Sequence, residues 1–404
     1  MVNPKRALTL LFLFVFVDVL GFSLILPLLP YYAATFGATA EVVGLLLGAN
    51  ALTQLLGTPV LGRLSDRYGR KPLLVISLAG TVVGFLMLGF ARSLAMLFAS
   101  RIVDGLLGGN ISLAQAYISD VSDGKERTKA FGLIGAAFGL GFIFGPAMGG
   151  ALAGGGNYAW PALAAAGLSV LNLLGVILGL PESLPRAERE RRAREPRAAF
   201  SARALWEALN LPCVGPLLQT QLLYSLAFTL FETVFALFAQ ARLELDARAT
   251  SFVLTYVGVL VVLVQGVGIR LLVRRFTDKQ MVFGGSILLA ASLLAWALTP
   301  SLGVLLIILA PLALASGVLR VSINAALTHS VWPEEVGGTL GLSASLSSLT
   351  RVISPTVGGL LLGRAGAAAP GLLGAALMAW LAYYAWRRVL FVPDLACPPP
   401  RTPQ

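Results

Sequence analysis

Six charged side chains stand inside long apolar runs: Asp18, Arg101, Asp104, Glu232, Arg320 and Arg351. In a helix that crosses a bilayer such charges are costly, and by default they mark proton or substrate paths. Asp18 lies at the middle of the run 7–30. A carboxyl group taken from water into low dielectric favours its neutral form, so an acid whose exposure alternates can take up a proton on one side and release it on the other. Arg101 would oppose this by favouring the ionised form, and an arginine that approaches and withdraws would act as a switch. The competing reading is a static Asp18–Arg101 or Asp104–Arg101 ion pair. Arg101 and Asp104 are spaced to pair within one helix, and Asp104 is read as structural. Proton coupling is assigned to Asp18 and Arg101, with Glu232 as a further candidate.

Glu232 is flanked by Phe228, Phe231 and Phe235. Aromatic rings one turn from an acid suit a lipophilic cation through charge and cation–π contact; alternatively, Glu232 pairs with Arg320 and the rings meet lipid. Arg320 and Arg351 could equally hold an anionic group. Uncharged polar residues, Asn50, Gln54, Asn110, Gln115, Gln221 and Asn324, supply possible walls for a substrate cavity. Hydrogen bonding between helices is their other use.

The elements that position these residues follow from composition. Of 404 residues, 57% are hydrophobic and 12% charged, against about 25% charged in soluble proteins. Apolar stretches long enough to cross a bilayer fall near 7–30, 41–61, 72–91, 94–118, 129–153 and 159–180, and again near 213–239, 249–270, 280–299, 302–328, 338–362 and 368–386. The expected fold is an all-α polytopic membrane protein of twelve transmembrane helices. Its parts are an N-terminal six-helix bundle (1–181), a basic cytoplasmic linker (182–210) holding Arg186, Arg189, Arg191, Arg192, Arg194 and Arg197, a C-terminal six-helix bundle (211–392) and a cytoplasmic tail (393–404). The first apolar run follows Lys5 and Arg6 like a signal peptide, but its length, Asp18 and the many similar segments after it make it a span.

Charge sets the orientation. With the N-terminus in the cytoplasm, only Arg92, Arg242, Arg248 and Arg364 of the 30 Lys and Arg fall in loops on the far side, which satisfies the positive-inside rule. The net charge of +11 then faces anionic lipid and not nucleic acid. His329 is the single histidine, read as interfacial, and Cys213 and Cys397 are the two cysteines, so no metal site, cofactor or disulfide framework is expected. Spans 3, 6, 9 and 12 carry no interior charge, as expected if they face lipid. Gly145-Pro146-Ala147-Met148-Gly149-Gly150 is echoed by Ser354-Pro355-Thr356-Val357-Gly358-Gly359. Duplicated halves are a mark of secondary transporters, with the substrate site between repeats. Gly105 and Gly109, and Gly141, Gly145 and Gly149, sit at spacings that let helices approach closely, and Pro146 adds a kink.

The loop Gly62 to Lys71 resembles the signature between spans 2 and 3 of the major facilitator superfamily. Arg101-Ile102-Val103-Asp104-Gly105 resembles its span 4 motif, and the run ending Gly145-Pro146-Ala147-Met148-Gly149-Gly150 the span 5 motif of its antiporters. With Pro181-Glu182-Ser183 the pattern is similar to the twelve-span drug/proton antiporters, nearest to the tetracycline exporters. The resemblance implies a conformational latch built from Gly62, Asp66, Arg67, Gly69, Arg70, Lys71 and Asp120, in which Asp66, Arg70 and Asp120 form a charge network that holds two halves together. It also implies that Gly141, Gly145, Pro146, Gly149 and Gly150 seal span 5 against span 8 or 11. Tetracycline exporters carry acids in spans 3 and 9. Here those places hold Gly84 and the run Ser286 to Ala290, so the likeness carries the coupling residues and not those for a metal–tetracycline chelate.

The chain has no GxxxxGK[ST] run for ATP, and no constellation of nucleophile, base or metal ligands for an enzyme. The expected function is a proton-coupled antiporter that exports small amphipathic compounds. A transporter of a metabolite, sugar or lipid using Arg320 or Arg351 is the alternative, and a non-transporting receptor or enzyme a remote one. Expected partners are a small-molecule substrate, protons and the lipid bilayer. The chain is expected to act as a monomer in the cell membrane with both termini cytoplasmic.

Overall fold

A computed structural model describes residues 4–122, 124–194, 202–211, 214–332 and 335–390. Cys213, Cys397, Arg197 and the tail 393–404 lie outside the described residues. Every regular element among those described is helical. The first six spans are built from α1 (Pro4–Ile25) with the short α2 (Leu29–Ala34), α3 (Ala40–Tyr68), α4 (Arg70–Gly89), α5 (Leu94–Leu107) with α6 (Asn110–Val121), α7 (Gly124–Leu152) and α8 (Ala159–Gly179). Two linker helices follow, α9 (Arg186–Arg194) and α10 (Ala202–Leu209). The later spans are α11 (Val214–Leu243), α12 (Ala247–Leu263) with α13 (Ile269–Val273), α14 (Asp278–Ala297), α15 (Leu302–His329), α16 (Val336–Ala365) and α17 (Ala369–Ala385).

Ten of these segments are long and apolar enough to cross a membrane. The remaining two expected spans correspond to α16, whose apolar run is diluted by Ser343, Ser345, Ser347, Ser348, Thr350 and Ser354, and to α17, which is 17 residues long. Interruptions have local causes. Pro27 and Pro30 separate α1 from α2, since proline cannot donate a backbone hydrogen bond. Span 4 breaks at Gly108–Gly109, which the sequence suggested only as a packing motif. A π turn at Val264–Gly268 separates α12 from α13.

Packing gathers the described helices into two compact units. One runs to residue 197 and also takes 244–259, the start of α12; the other holds 198–243 and everything from 260 onward. In unit 1, α1 packs on α7 and α8, while α4 packs on α5 and α8. The interior between them is filled by Leu11, Val15, Leu74, Leu78, Leu113 and Tyr117. In unit 2, α11 packs on α16 and α17, and α14 on α15 and α17. Its centre is Trp296, fully buried, with ring centroids of Phe238 and Phe231 at 4.5 and 4.9 Å. Exposed apolar side chains such as Leu178 (83%) and Ile307 (73%) would be an aggregation hazard in water, and in a membrane they meet lipid. The helices without interior charge, α4, α8, α14 and α17, each bury one face and expose an apolar stripe, including Ile76, Leu171, Ile287 and Leu372.

The start of α4 shows how tightly local sequence sets the fold. Gly69 has φ 108°, a region that residues with a Cβ rarely enter. A Cβ there would lie 2.5 Å from Glu182 Oε2. Glu182 uses both oxygens to accept from the backbone N–H groups of Arg70 (2.8 Å) and Lys71 (3.1 Å), the anionic cap a helix N-terminus favours. Gly69→Ala should cost about 1–3 kcal/mol in backbone strain and displace this cap. Thermal unfolding in detergent, followed by tryptophan fluorescence, should drop by several degrees; an unchanged midpoint would refute the account.

Candidate functional site

Two polar clusters form in unit 1. The inner one begins with Asp18 on α1, half-buried. Its Oδ1 accepts from Asn110 Nδ2 at 2.7 Å, and the same amide nitrogen donates to Thr81 Oγ1 at 3.1 Å. Arg101 does not reach Asp18. Its NH1 meets Asp104 Oδ2 at 3.3 Å, both side chains lie inside the unit, and Asn50 Nδ2 donates to the same Asp104 oxygen (3.3 Å) and to Arg101 O (2.9 Å). Of the arrangements the sequence allowed, the structure forms the Arg101–Asp104 pair within one helix. The guanidinium also stands 5.5 Å from the Phe85 ring centroid. Gly84 faces α5: a Cβ there would come within 2.9 Å of Asp104 Cβ.

Asn110 can face Asp18 because span 4 is broken just before it. Gly108 N bonds to Gly105 O and Gly109 N to Leu107 O, replacing helical bonds. Two side chains add further bonds to the backbone of the break. Ser77 Oγ donates to Leu107 O and accepts from Gly109 N–H (3.1 Å), and Gln54 Nε2 donates to Gly108 O (3.0 Å). Gln54, expected in a cavity wall, is thus engaged with a helix break.

The outer cluster lies at the end of unit 1 that carries the linker. Arg70 bonds Asp66 (2.7 Å) and Asp120 (2.8 Å), and all three side chains are about 6–7% exposed. Asp66, Arg70 and Asp120 therefore stand together as the sequence suggested. The sequence did not suggest that Arg192 of α9 reaches the same acids, with NH1 at 3.2 Å from Asp120 and 3.5 Å from Asp66. Arg189 donates to Tyr68 O (3.1 Å) and lies 3.7 Å from Glu182. Glu188 joins Arg192 to Arg191 at 2.9 and 2.7 Å, and these hydrogen bonds hold its carboxyl below the usual carboxylate range. Arg67 points outward over Tyr68, Lys71 Nζ donates to Ile177 O (2.8 Å), and a Cβ at Gly62 would meet nothing within 4 Å. Arg192 sits in an arginine-rich run, and no sequence feature separates it from its neighbours.

The glycine run on α7 packs mainly on α1. A Cβ at Gly141 would meet Val19, at Gly145 Ser23, and at Gly149 the backbone of Leu24; Ser23 Oγ donates to Gly141 O at 2.7 Å. Gly150 alone of this run faces span 8, where its Cβ would meet Ser251 at 2.7 Å. Nearby, the Tyr31 hydroxyl donates to Leu245 O (2.9 Å) and meets Thr250 Oγ1 (2.6 Å). Pro146 is carried within a continuous α7.

In unit 2 the charged residues stay open. Glu232, Arg320, Asn324 and Arg351 are exposed, as is Gln115 in unit 1. Glu232 and Arg320 form no ion pair. Arg320 stands 5.8 Å from the ring centroid of the half-buried Phe228. Phe231 and Phe235, expected around Glu232, pack on Trp296, while Glu232 is exposed. Gln221 is buried, bonded to Ser225 and Ser347 at 3.0 Å each. His329 meets Asp278 at 3.3 Å. No group of three His, Cys, Asp or Glu able to hold a metal occurs among the described residues.

Comparison with known proteins places this geometry among transporters. A sequence profile described as Major Facilitator Superfamily matches residues 11–299. The class C tetracycline resistance protein of Escherichia coli is 32% identical over 365 residues, covering 88% of this chain and 89% of that protein. Multidrug resistance protein 2 of Bacillus subtilis is 28% identical, covering 89% and 90%. Among solved structures, the human organic anion transporter MFSD10 superposes with a TM-score of 0.70 at 24% identity, covering 95% of this chain and all of that one. A nucleoside transporter does so at 0.79 and 14% identity, with the same coverage.

The outer cluster makes a direct prediction. Arg192→Ala should free α9 and make trypsin cleavage at the remaining linker arginines several-fold faster in detergent, whereas equal rates would show that Arg192 does not hold the linker. Glu188→Gln should act more weakly, since exposed pairs contribute little. Folding depresses the Glu188 carboxyl through Arg191 and Arg192 of the same helix, so its share in the stability of α9 is present above the ordinary glutamate range and lost as pH falls through the lowered value.

Proposed function

Because the chain belongs to the major facilitator superfamily, and is a membrane transporter of small molecules rather than an enzyme, we propose that it is a proton-coupled antiporter exporting small amphipathic, drug-like compounds by alternating access. The observation that carries this reading is the state of Asp18. It is a carboxylate at the middle of a span, half-buried, whose hydrogen bond comes from the amide of Asn110 and not from an arginine. A carboxylate locked to arginine resists protonation, while one held by an amide can accept a proton and give it back. Arg101 is held by Asp104, so its part is to fix the surroundings of Asp18.

The names of the relatives, resistance to tetracycline and to multiple drugs, support the class of cargo. The driving force is the proton gradient, in which one charge crossing 100 mV is worth about 2.3 kcal/mol. Two six-helix bundles, 1–181 and 211–392, move against each other about a central site. The protein works as a monomer in the cell membrane, with the linker and both termini in the cytoplasm in accordance with the distribution of Lys and Arg. Tetracycline is one candidate cargo among others. A second reading has its own observation: Arg320 is exposed beside Phe228 with no carboxylate in an ion pair, which suits the anionic group of a metabolite, sugar or lipid.

Purified protein in proteoliposomes with an imposed pH gradient tests both readings, using a panel of lipophilic cations, tetracyclines, neutral amphipaths and organic anions. At least one compound should collapse the gradient with the parent, and Asp18→Asn should reduce that flux at least about tenfold, the scale of removing one relay group. Binding without proton movement would overturn the antiport reading. Response to organic anions alone, abolished in Arg320→Ala, would favour the second.

A further inference from the structure

Ser77 has no place in any motif, yet it is completely buried on α4 and bonds both sides of the break in span 4. Thr81, one turn further along the same face of α4, bonds the side chain of Asn110, the first residue after the break. Together the two hydroxyls hold the backbone just before Asn110 and the nitrogen of its side-chain amide. The Asn110 Oδ1 atom is buried and has no hydrogen-bond partner, so the carbonyl end of the amide does nothing to set its orientation. What aims the N–H at Asp18 is therefore the hold of α4 on the break and on the amide nitrogen.

We propose that Ser77 is a positioning residue for the proton site, holding span 4 broken at Gly108–Gly109 so that the Asn110 amide meets the Asp18 carboxylate. The inference rests on the reading of Asp18 as a proton-exchanging acid. The geometry carries it in three steps. A continuous helix through 104–112 would return the freed backbone groups to their ordinary partners and would rotate residue 110 about the helix axis. The hydroxyl of Ser77 supplies both a donor, to Leu107 O, and an acceptor, for Gly109 N–H, which alanine cannot. The glycines make the break possible without making it obligatory, since glycine also occupies helical conformations.

Other ionisable groups near Asp18 are few. From α5 the charge that acts on it is Asp104, itself paired with Arg101. On the remaining helices packed against α1, α8 has no ionisable side chain and α7 has none beyond Lys129, near its start; on α6 the nearest is Tyr117, with Asp120 in the outer cluster. A change in the proton affinity of Asp18 on altering Ser77 therefore runs through Asn110.

The test uses the full-length protein in liposomes and needs no transported compound. Dicyclohexylcarbodiimide modifies protonated carboxyl groups in apolar surroundings, and its attachment to Asp18 is followed by mass spectrometry as a function of pH. Ser77→Ala should move the pH midpoint of labelling by about one unit, the effect of losing a hydrogen bond to a carboxylate, and Ser77→Thr, which keeps the hydroxyl, should restore it. Asn110→Ala should move the midpoint the same way, and the double variant should equal Asn110→Ala alone, because residues acting through one another are not additive. A parental midpoint in Ser77→Ala, or an additive double variant, would overturn the proposal. Labelling of Asp18 that behaves as expected while no compound moves protons would leave Ser77 as positioning residue and sink the antiport reading instead. A parent whose Asp18 fails to react at any pH overturns the premise and the inference with it.

Discussion

Backbone polar groups inside a bilayer have no water to turn to, and every irregularity in a span must be satisfied by the protein itself. Much of the polar content of this chain answers that constraint. Ser77 and Gln54 serve the break at Gly108–Gly109, and Glu182 serves the start of α4. Asn172 donates to Phe14 O (3.1 Å), Tyr224 to Ser316 O (3.0 Å) and Tyr117 to Pro181 O (2.8 Å). Among the described residues, polar side chains of the spans that remain open include Asp18 in part, Gln115, Glu232, Gln265, Arg320, Asn324 and Arg351.

The two units resolve their charges differently. Unit 1 pairs them, Arg101 with Asp104 and Arg70 with Asp66 and Asp120. Buried pairs of this kind add little net stability, but removing one partner leaves an uncompensated charge at a cost of about 3–5 kcal/mol, so the pairs fix helix positions. Unit 2 leaves Glu232, Arg320 and Arg351 exposed and builds its rigidity from aromatic rings around Trp296. Under the antiporter proposal, the ordered charges of unit 1 suit coupling, which must be the same in each cycle, and the open ones of unit 2 suit varied cargo.

Helices, their order and the charges within them were legible because span length and hydrophobicity follow directly from bilayer thickness. The Asp66–Arg70–Asp120 cluster was legible through a resemblance whose residues occur at fixed spacing. Other features were not. The break in span 4 depends on a serine in span 3, a long-range partner that no local pattern marks, and the glycines there read equally well as a packing stripe. Phe231 and Phe235 read as a wall around Glu232, but both rings are drawn onto Trp296, a long-range partner that local spacing does not mark. Arg192 was hidden among equivalent arginines, one of which happens to fall opposite two acids when α9 docks.

The Glu182 cap on α4 bears on how the protein is made. The N–H groups of Arg70 and Lys71 stay without their carboxylate until residue 182 has left the ribosome. At about 5–20 residues per second that is a wait on the order of ten seconds, during which span 3 sits in the translocon or the bilayer with an unfinished end. The cap on α4 therefore forms only once the sixth helix is complete and the linker has begun, before most of the second half exists.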